Sequence, residues 1–264
     1  MITSKNNTKV KQVRKLQKSA KLRDQENVFV VEGTKMVFEA PVGLLKECFI
    51  SESFYKKNQK RIKGLECSVE VVSDQVFEML SDTKTPQGIL GLVKQLEYSL
   101  EEILKKRNPL LLILESIQDP GNVGTIFRTA EATGVTGIVM NHSCVDIYNP
   151  KTTRSTMGAV YRQPFVVVSD FVESLDRIRE SGVKLIATDL TATKNYDKEN
   201  YREAVGLLIG NEGNGLSDFI LKMVEDKVKI PMEGQGESLN VAIAASVLAY
   251  EAYRQRGFDE REIS

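Results

Sequence analysis

Apolar residues along this chain gather mostly in short runs, separated by mixed segments that end in glycine, proline or asparagine. Short runs bounded by turn residues read as buried strands. Before residue 95 such runs occupy 28–31, 47–50, 70–72 and 89–93. A basic stretch over 8–22, with 34–38 and 74–80, reads as helix, which makes this region a small α/β unit. Residues 83–88 (TKTPQG) form a turn signal punctuated by Pro86 and Gly88. Residues 98–107 (YSLEEILKKR) read as a polar helical connector that stops at Asn108-Pro109. The pattern predicts a domain boundary near residue 100, with one domain over 1–100 and a second over 101–264.

From Leu110 onward strands and helices alternate. The predicted strands are 110–114, 137–140, 165–168, 184–187, 206–209 and 227–230, with helices beginning near Asn122, Thr152, Phe171, Ser217 and Leu239. That alternation predicts an α/β fold with a parallel sheet covered by helices on both faces. The last helix has the fullest signature, with Ser238 as its N-cap, small residues Ala242, Ala244 and Ala245, and Arg254 and Arg256 near its end. No run is long enough to span a bilayer. The first residues lack the apolar stretch and cleavage site of a signal peptide, and the cysteine usage fits the reducing cytoplasm expected for this protein. Cys48, Cys67 and Cys144 are widely spaced with no CxxC pair, which implies neither a disulfide framework nor a zinc site.

Charge changes the picture in one place. Thirty-six basic residues balance 36 acidic ones, yet residues 1–23 hold Lys5, Lys9, Lys11, Arg14, Lys15, Lys18, Lys21 and Arg23 and no acid. Such a block suits phosphates, and binding through it weakens with salt. The alternative is a solvated helix face.

Candidate chemistry sits in three segments that follow apolar runs: 122–130 (NVGTIFRTA), 210–216 (GNEGNGL) and 230–245 (IPMEGQGESLNVAIAA). Ligands of open α/β sheets bind at strand ends. Asn122 offers an amide, and Arg128 a planar fork suited to phosphate, or else a surface ion pair with Glu131. Glu212 reads either as a favourable charge at a helix entry or as a group that fixes a loop or a ligand hydroxyl. Ser238 reads first as a helix cap, and Asn240, in the first turn, has an amide free for other contacts. The glycine spacing matches neither the dinucleotide fingerprint nor the phosphate loop. His142 is the single histidine and no GxSxG elbow accompanies Ser238, so a hydrolase triad is not expected.

Taken in order, these segments resemble the three signature motifs of the SpoU (TrmH-type) RNA 2′-O-ribose methyltransferases of the SPOUT superfamily. Residues 151–163 (KTTRSTMGAVYRQ) match the pattern between them, and 30–33 (VVEG) with 85–88 (TPQG) resemble pieces of the amino-terminal RNA substrate-binding domain. The resemblance implies a carboxyl-terminal trefoil knot, S-adenosylmethionine as cofactor, a homodimer with the active site completed across its interface, and no metal. It implies Asn122, Arg128, Glu212, Ser238 and Asn240 as catalytic residues, with Asn122 and Arg128 on ribose and phosphate. It places Thr188, Gly210, Asn211, Gly213, Ile230, Met232 and Leu239 around the cofactor. The implied substrate is ribosomal RNA, a 23S nucleotide; transfer RNA, or a non-catalytic RNA-binding relative, is the alternative.

Overall fold

The computed structural model describes residues 1–234 and 238–257. In chain order come α1 (Thr8–Lys18), α2 (Ala20–Glu26), β1 (Val28–Glu32), α3 (Thr34–Phe38), β2 (Leu45–Ser51), α4 (Glu52–Ile62), β3 (Ser68–Val72), α5 (Asp74–Leu80) and β4 (Ile89–Lys94). There follow α6 (Leu100–Leu104), β5 (Leu110–Leu114), α7 (Pro120–Thr133), β6 (Gly137–Asn141), α8 (Pro150–Ser155) and β7 (Phe165–Val168). The last are α9 (Phe171–Glu180), β8 (Lys184–Thr188), β9 (Val205–Ile209), α10 (Asp218–Met223), β10 (Asp226–Val228) and α11 (Val241–Gln255). Contacts divide the chain into two units: Met1–Glu97 with Asp146–Tyr161, and Tyr98–Val145 with the chain from Arg162 onward.

The first unit is a four-stranded mixed sheet in the order β1-β4-β2-β3. Val10, Val13 and Leu16 of α1 pack on Val30, Phe49, Val72, Phe77 and Leu90, and this stripe is why a chain segment so rich in lysine is helical at all. The single helix expected over 8–22 is two. Ser19 has extended backbone; its N–H closes α1 on the Lys15 carbonyl, and its hydroxyl accepts from Leu22 N to open α2. The helix α4 buries only Ile62, so it has no apolar stripe for a sequence pattern to reveal.

Two members of the basic block belong to the fold. The Arg23 side chain, 3% exposed, pairs with Asp146, as a buried charge must. Lys9 bridges Glu47 and Glu70 at 2.6 Å each. The Arg23 pair ties in the segment 146–161, which the sequence pattern placed with everything after residue 100. Tyr148 stacks on Phe29 with ring centroids 4.6 Å apart, and the Tyr161 hydroxyl donates to the Met36 carbonyl at 2.8 Å.

The second unit is a six-stranded, wholly parallel sheet in the order β10-β8-β9-β5-β6-β7. β5 and β9 are buried along their whole length, the mark of central parallel strands covered on both sides. On one face α9 and α10 meet β5 and β9 through Leu175, Ile178, Ile220, Leu111, Ile113 and Leu208. Elsewhere α11 packs against α7 and β9. The predicted last strand, 227–230, is shorter and shifted to Asp226–Val228.

Candidate active site

The order of the parallel sheet locates the site. β6 and β7 continue outward from β5 on one side, while β9 enters between β5 and β8 on the other. The direction of winding reverses at the β5–β9 pair, and a ligand crevice opens beyond the strand ends at such a reversal. The two strands run in register from Leu110 opposite Val205 to Leu114 opposite Ile209. Glu115 N then donates to the Ile209 carbonyl at 2.9 Å, so the loops 115–119 and 210–215 leave the sheet side by side.

The second of these loops closes on itself. Asn211 and Gly215 exchange two backbone hydrogen bonds of 2.9 Å. Asn211 Oδ1 accepts from Gly213 N at 3.0 Å and Asn214 N at 3.2 Å, while its Nδ2 donates to the Ser116 carbonyl at 2.8 Å. Gly215 sits at φ +68°, and a β-carbon on Gly210 would overlap the main chain of Gly215 and Leu216. The sequence therefore needs glycine here to bring bare backbone to the edge of a cavity.

That cavity has a volume of about 350 Å³. Thr188, Gly210, Asn211, Gly213, Ile230, Met232 and Leu239 all line it, together with Glu212 and Ser238. Leu216, Leu221, Val228, Val241 and Leu248 form its apolar wall. Asp189, Leu190 and Thr191 line it as well and escaped the sequence reading. Their signal is a polar turn directly after β8: Asp189 Oδ1 accepts from both Thr191 N and its hydroxyl at 2.8 Å.

Glu212 joins this cavity to α7 and α11. Its Oε1 accepts from Asp119 N and from Asn122 Nδ2, both at 3.1 Å; its Oε2 accepts from Gln118 N and Asn211 Nδ2, both at 3.3 Å. Burial pushes this carboxyl up, but the Asn122 amide and the backbone donors outweigh it and hold it below the ordinary carboxylate value. Asn122 Oδ1 in turn accepts from Asn240 Nδ2 at 2.9 Å. Three residues far apart in sequence thus form one hydrogen-bonded chain.

Two sequence expectations are corrected at this point. The last helix begins at Val241 rather than near Leu239, and its cap is Asn240, whose Oδ1 accepts from Ala242 N and Ile243 N. Ser238 is not the cap; it is exposed at the cavity rim. Asn240 outranks it because its carbonyl caps the helix while its amide still reaches Asn122. The loop glycine Gly236, also expected near the site, lies outside the described residues.

Arg128 stands apart from this network. The helix α7 starts at Pro120, capped by Asp119, whose Oδ1 accepts from Asn122 N. Six residues beyond Asn122, Arg128 is about 9 Å further along the axis and about a third of a turn away around it. It lies on the exposed stripe with Gly121 and Thr125 and makes no hydrogen bond or ion pair among the described residues. The ion pair with Glu131 does not form, because Glu131 binds Arg162. His142 is an exposed turn residue.

Residues 109–250 match the model of the SpoU rRNA Methylase family, and residues 7–91 that of the MRM3-like substrate binding domain. The chain belongs to the SpoU rRNA methylase family. It is 34% identical over 94% of its length to the 23S rRNA (guanosine(2553)-2′-O)-methyltransferase RlmP of Bacillus subtilis, 97% of which is covered. Among solved structures it resembles the SpoU methyltransferase AviRb from Streptomyces viridochromogenes in complex with AdoMet, with TM-score 0.87 and 26% identity over 95% of this chain and 98% of that one. An AdoMet-bound rRNA methyltransferase from Sinorhizobium meliloti matches with TM-score 0.83 and 31% identity, over 96% and 97% of the two chains.

The cavity of this SpoU methylase fits S-adenosylmethionine. Its volume lies within the range of small-molecule sites, about 300–1,000 Å³. One wall is apolar enough for an adenine ring, and the space that a Gly210 side chain would occupy is closed by main chain instead. Among the described residues no group of His, Cys, Asp and Glu is placed to hold a metal ion, and no helix is long and apolar enough to cross a membrane.

Proposed function

We propose that this protein transfers a methyl group from S-adenosylmethionine to a ribose 2′-hydroxyl of RNA, the substrate being a nucleotide of 23S ribosomal RNA. The observation that carries this reading is the double position of Glu212, which lines the cavity and also holds Asn122 and, through it, Asn240. The methyl-donor site and the polar groups suited to a ribose share one wall. Bound there, S-adenosylmethionine supplies a methyl group activated on a sulfonium. Gly210, Ile230 and Leu239 hold it through their backbone, with Thr188, Asn211, Gly213 and Met232 around them.

The chain itself supplies position and charge. Glu212 fixes the amide of Asn122, whose free edge faces the ribose together with Ser238 and Asn240. Arg128 holds the adjacent phosphate through its guanidinium and stabilises the alkoxide as the proton of the hydroxyl passes to solvent water. Because Arg128 points away from its own network, it serves the site of a second copy in a homodimer. Ile243 and Tyr250, each more than half exposed on α11, supply an apolar face for that partner. The entry of β9 between β5 and β8, with α11 returning onto α7, supports a trefoil knot in this region. The protein works in the cytoplasm, with its substrate.

Incubation with labelled S-adenosylmethionine and undermodified 23S ribosomal RNA, followed by mapping of ribose methyls, tests the reading. Label on a single ribose supports it. Label on transfer RNA alone moves the substrate, and label on neither, with Arg128→Ala behaving as wild type, removes the activity.

A further inference from the structure

The first unit contains a recess of about 250 Å³ between β1 and the turn at 83–88, lined by Lys35, Met36, Thr85, Gln87, Arg154 and Met157 among others. Its polar groups are unevenly occupied. Glu32, the carboxylate in its lining, accepts from the Ser81 hydroxyl, from Thr83 Oγ1 at 2.9 Å and from Asp82 N at 3.0 Å. Gln87 Oε1 caps α3 by accepting from Thr34 N at 2.8 Å and from its hydroxyl at 3.0 Å, and among the described residues the Gln87 amide nitrogen has no partner. Arg154 Nη2 stands 3.6 Å from Asp82, longer than a hydrogen bond; the side chain is 34% exposed, but its Nη1 atom is buried with no hydrogen-bond partner among the described residues. A buried unmatched donor is destabilising, and an anionic oxygen relieves that cost.

The apolar part of the recess is equally unexplained by folding. Met157 is 47% exposed, and it is held at φ +51° ahead of Gly158 at φ +94°. The core of the unit does not require an apolar side chain there, whereas a flexible thioether packs well against a flat ring. At about 250 Å³ the space is below that of ordinary small-molecule sites, which run from about 300 Å³ upward. Proteins that read RNA do so largely on single nucleotides splayed from the stack, gripped by guanidinium and phosphate contacts.

We propose that this recess seats one unstacked nucleotide of the RNA substrate, with its base against Met157, its phosphate on Arg154 and Lys35, and a base acceptor on the Gln87 amide. The inference rests on the RNA reading above but is tested by binding rather than by turnover. The full-length protein and its variants Lys35→Gln, Met157→Ala and Arg154→Gln are titrated with a 23S ribosomal RNA transcript and with transfer RNA transcripts, and methyl transfer by the wild type, S-adenosylmethionine affinity and Tm are measured in parallel. RNA affinity falls at least fivefold in each variant, with cofactor affinity within twofold of wild type. Lys35 and Met157 are half-exposed, so their variants remain informative if Arg154→Gln, which also loses Asp82, unfolds. Unchanged RNA affinity in Lys35→Gln and Met157→Ala overturns the recess. Wild-type binding without methyl transfer overturns the activity and leaves the recess standing. A loss confined to transfer RNA transcripts overturns the ribosomal assignment, and a wild type that binds no RNA overturns both.

Discussion

At the ends of β5 and β9 nearly every polar side chain already has a partner within the fold, whereas four cations of α1 have none among the described residues. Glu212 alone accepts four hydrogen bonds, and Asn211 both donates and accepts within its own loop. Lys11, Arg14, Lys15 and Lys18 are exposed and make no ion pair among the described residues. The contrast is what the two proposed ligands would require. A small cofactor gives little binding energy per contact, so its site must be ordered beforehand and lose no further entropy on binding. A polyanion is drawn by many weak, screened charges that need no fixed geometry. Arg128 lies on the helix that leaves the first region, yet it is exposed and without a partner among the described residues like the cations of the second, which accords with its proposed role on a phosphate.

The sharpest way to break this comparison is at Arg128. Arg128→Ala is expected to lower kcat by about 100- to 1,000-fold, the usual loss when one charge-stabilising donor is removed, while calorimetric cofactor affinity stays near wild type. A matching fall in both would make Arg128 part of the ordered site instead. Next comes Gly210→Ala. The added β-carbon meets backbone that cannot step aside, so cofactor affinity should drop by about 3 kcal/mol, roughly a hundredfold. Cofactor binding within fivefold of wild type would show that the cavity lies elsewhere.

Glu212→Gln is the intermediate case, expected to cost about 1.5–3 kcal/mol in stability through the lost charge-assisted bonds. Its pH dependence is specific. The carboxyl is held below its ordinary value in the folded chain, so its contribution is complete above the ordinary carboxylate range and is lost as pH falls through the lowered folded value. Thermal melts of wild type and variant should therefore converge in acid and separate toward neutrality; parallel curves would contradict the assignment. The smallest effects belong to α1. Changing Lys11, Arg14, Lys15 and Lys18 to Gln, one at a time, should weaken RNA binding a few-fold each. Each should also flatten the slope of log affinity against log salt by about 0.7 per lost single-stranded phosphate contact. Lys9→Gln, which removes ion pairs to Glu47 and Glu70, should leave that slope unchanged, separating the structural lysine from its neighbours.

Much of the parallel unit was legible because its strands are short, apolar and bounded by glycine or proline. All six appear, with only the last displaced, where Asp226–Val228 pairs at the sheet edge and Ile230 instead turns into the cavity. The amino-terminal helices were harder, since Ser19 interrupts a continuous basic run through its backbone and hydroxyl, not through any change of pattern. Asn240 and Ser238 exchanged roles for a similar reason. Both are good caps, and the choice between them depends on Asn122, which lies more than a hundred residues earlier. The fate of the basic block shows the same limit: Arg23 and Lys18 look alike in sequence, yet Asp146 buries one and leaves the other in water.

What the sequence determined by itself was local. It set which segments are strands, which loops need glycine, and which polar residues stand at strand ends, because run length, punctuation and φ restrictions act within a few residues. Tertiary structure alone decided that β9 enters beside β5, that Glu212 meets Asn122 and Asn240, that Arg128 faces outward, and that Asp146–Tyr161 joins the amino-terminal unit. Strands of equal apolarity offer no label for their neighbours. Their order is settled only when all the long-range pairs form together and each buried charge finds its partner.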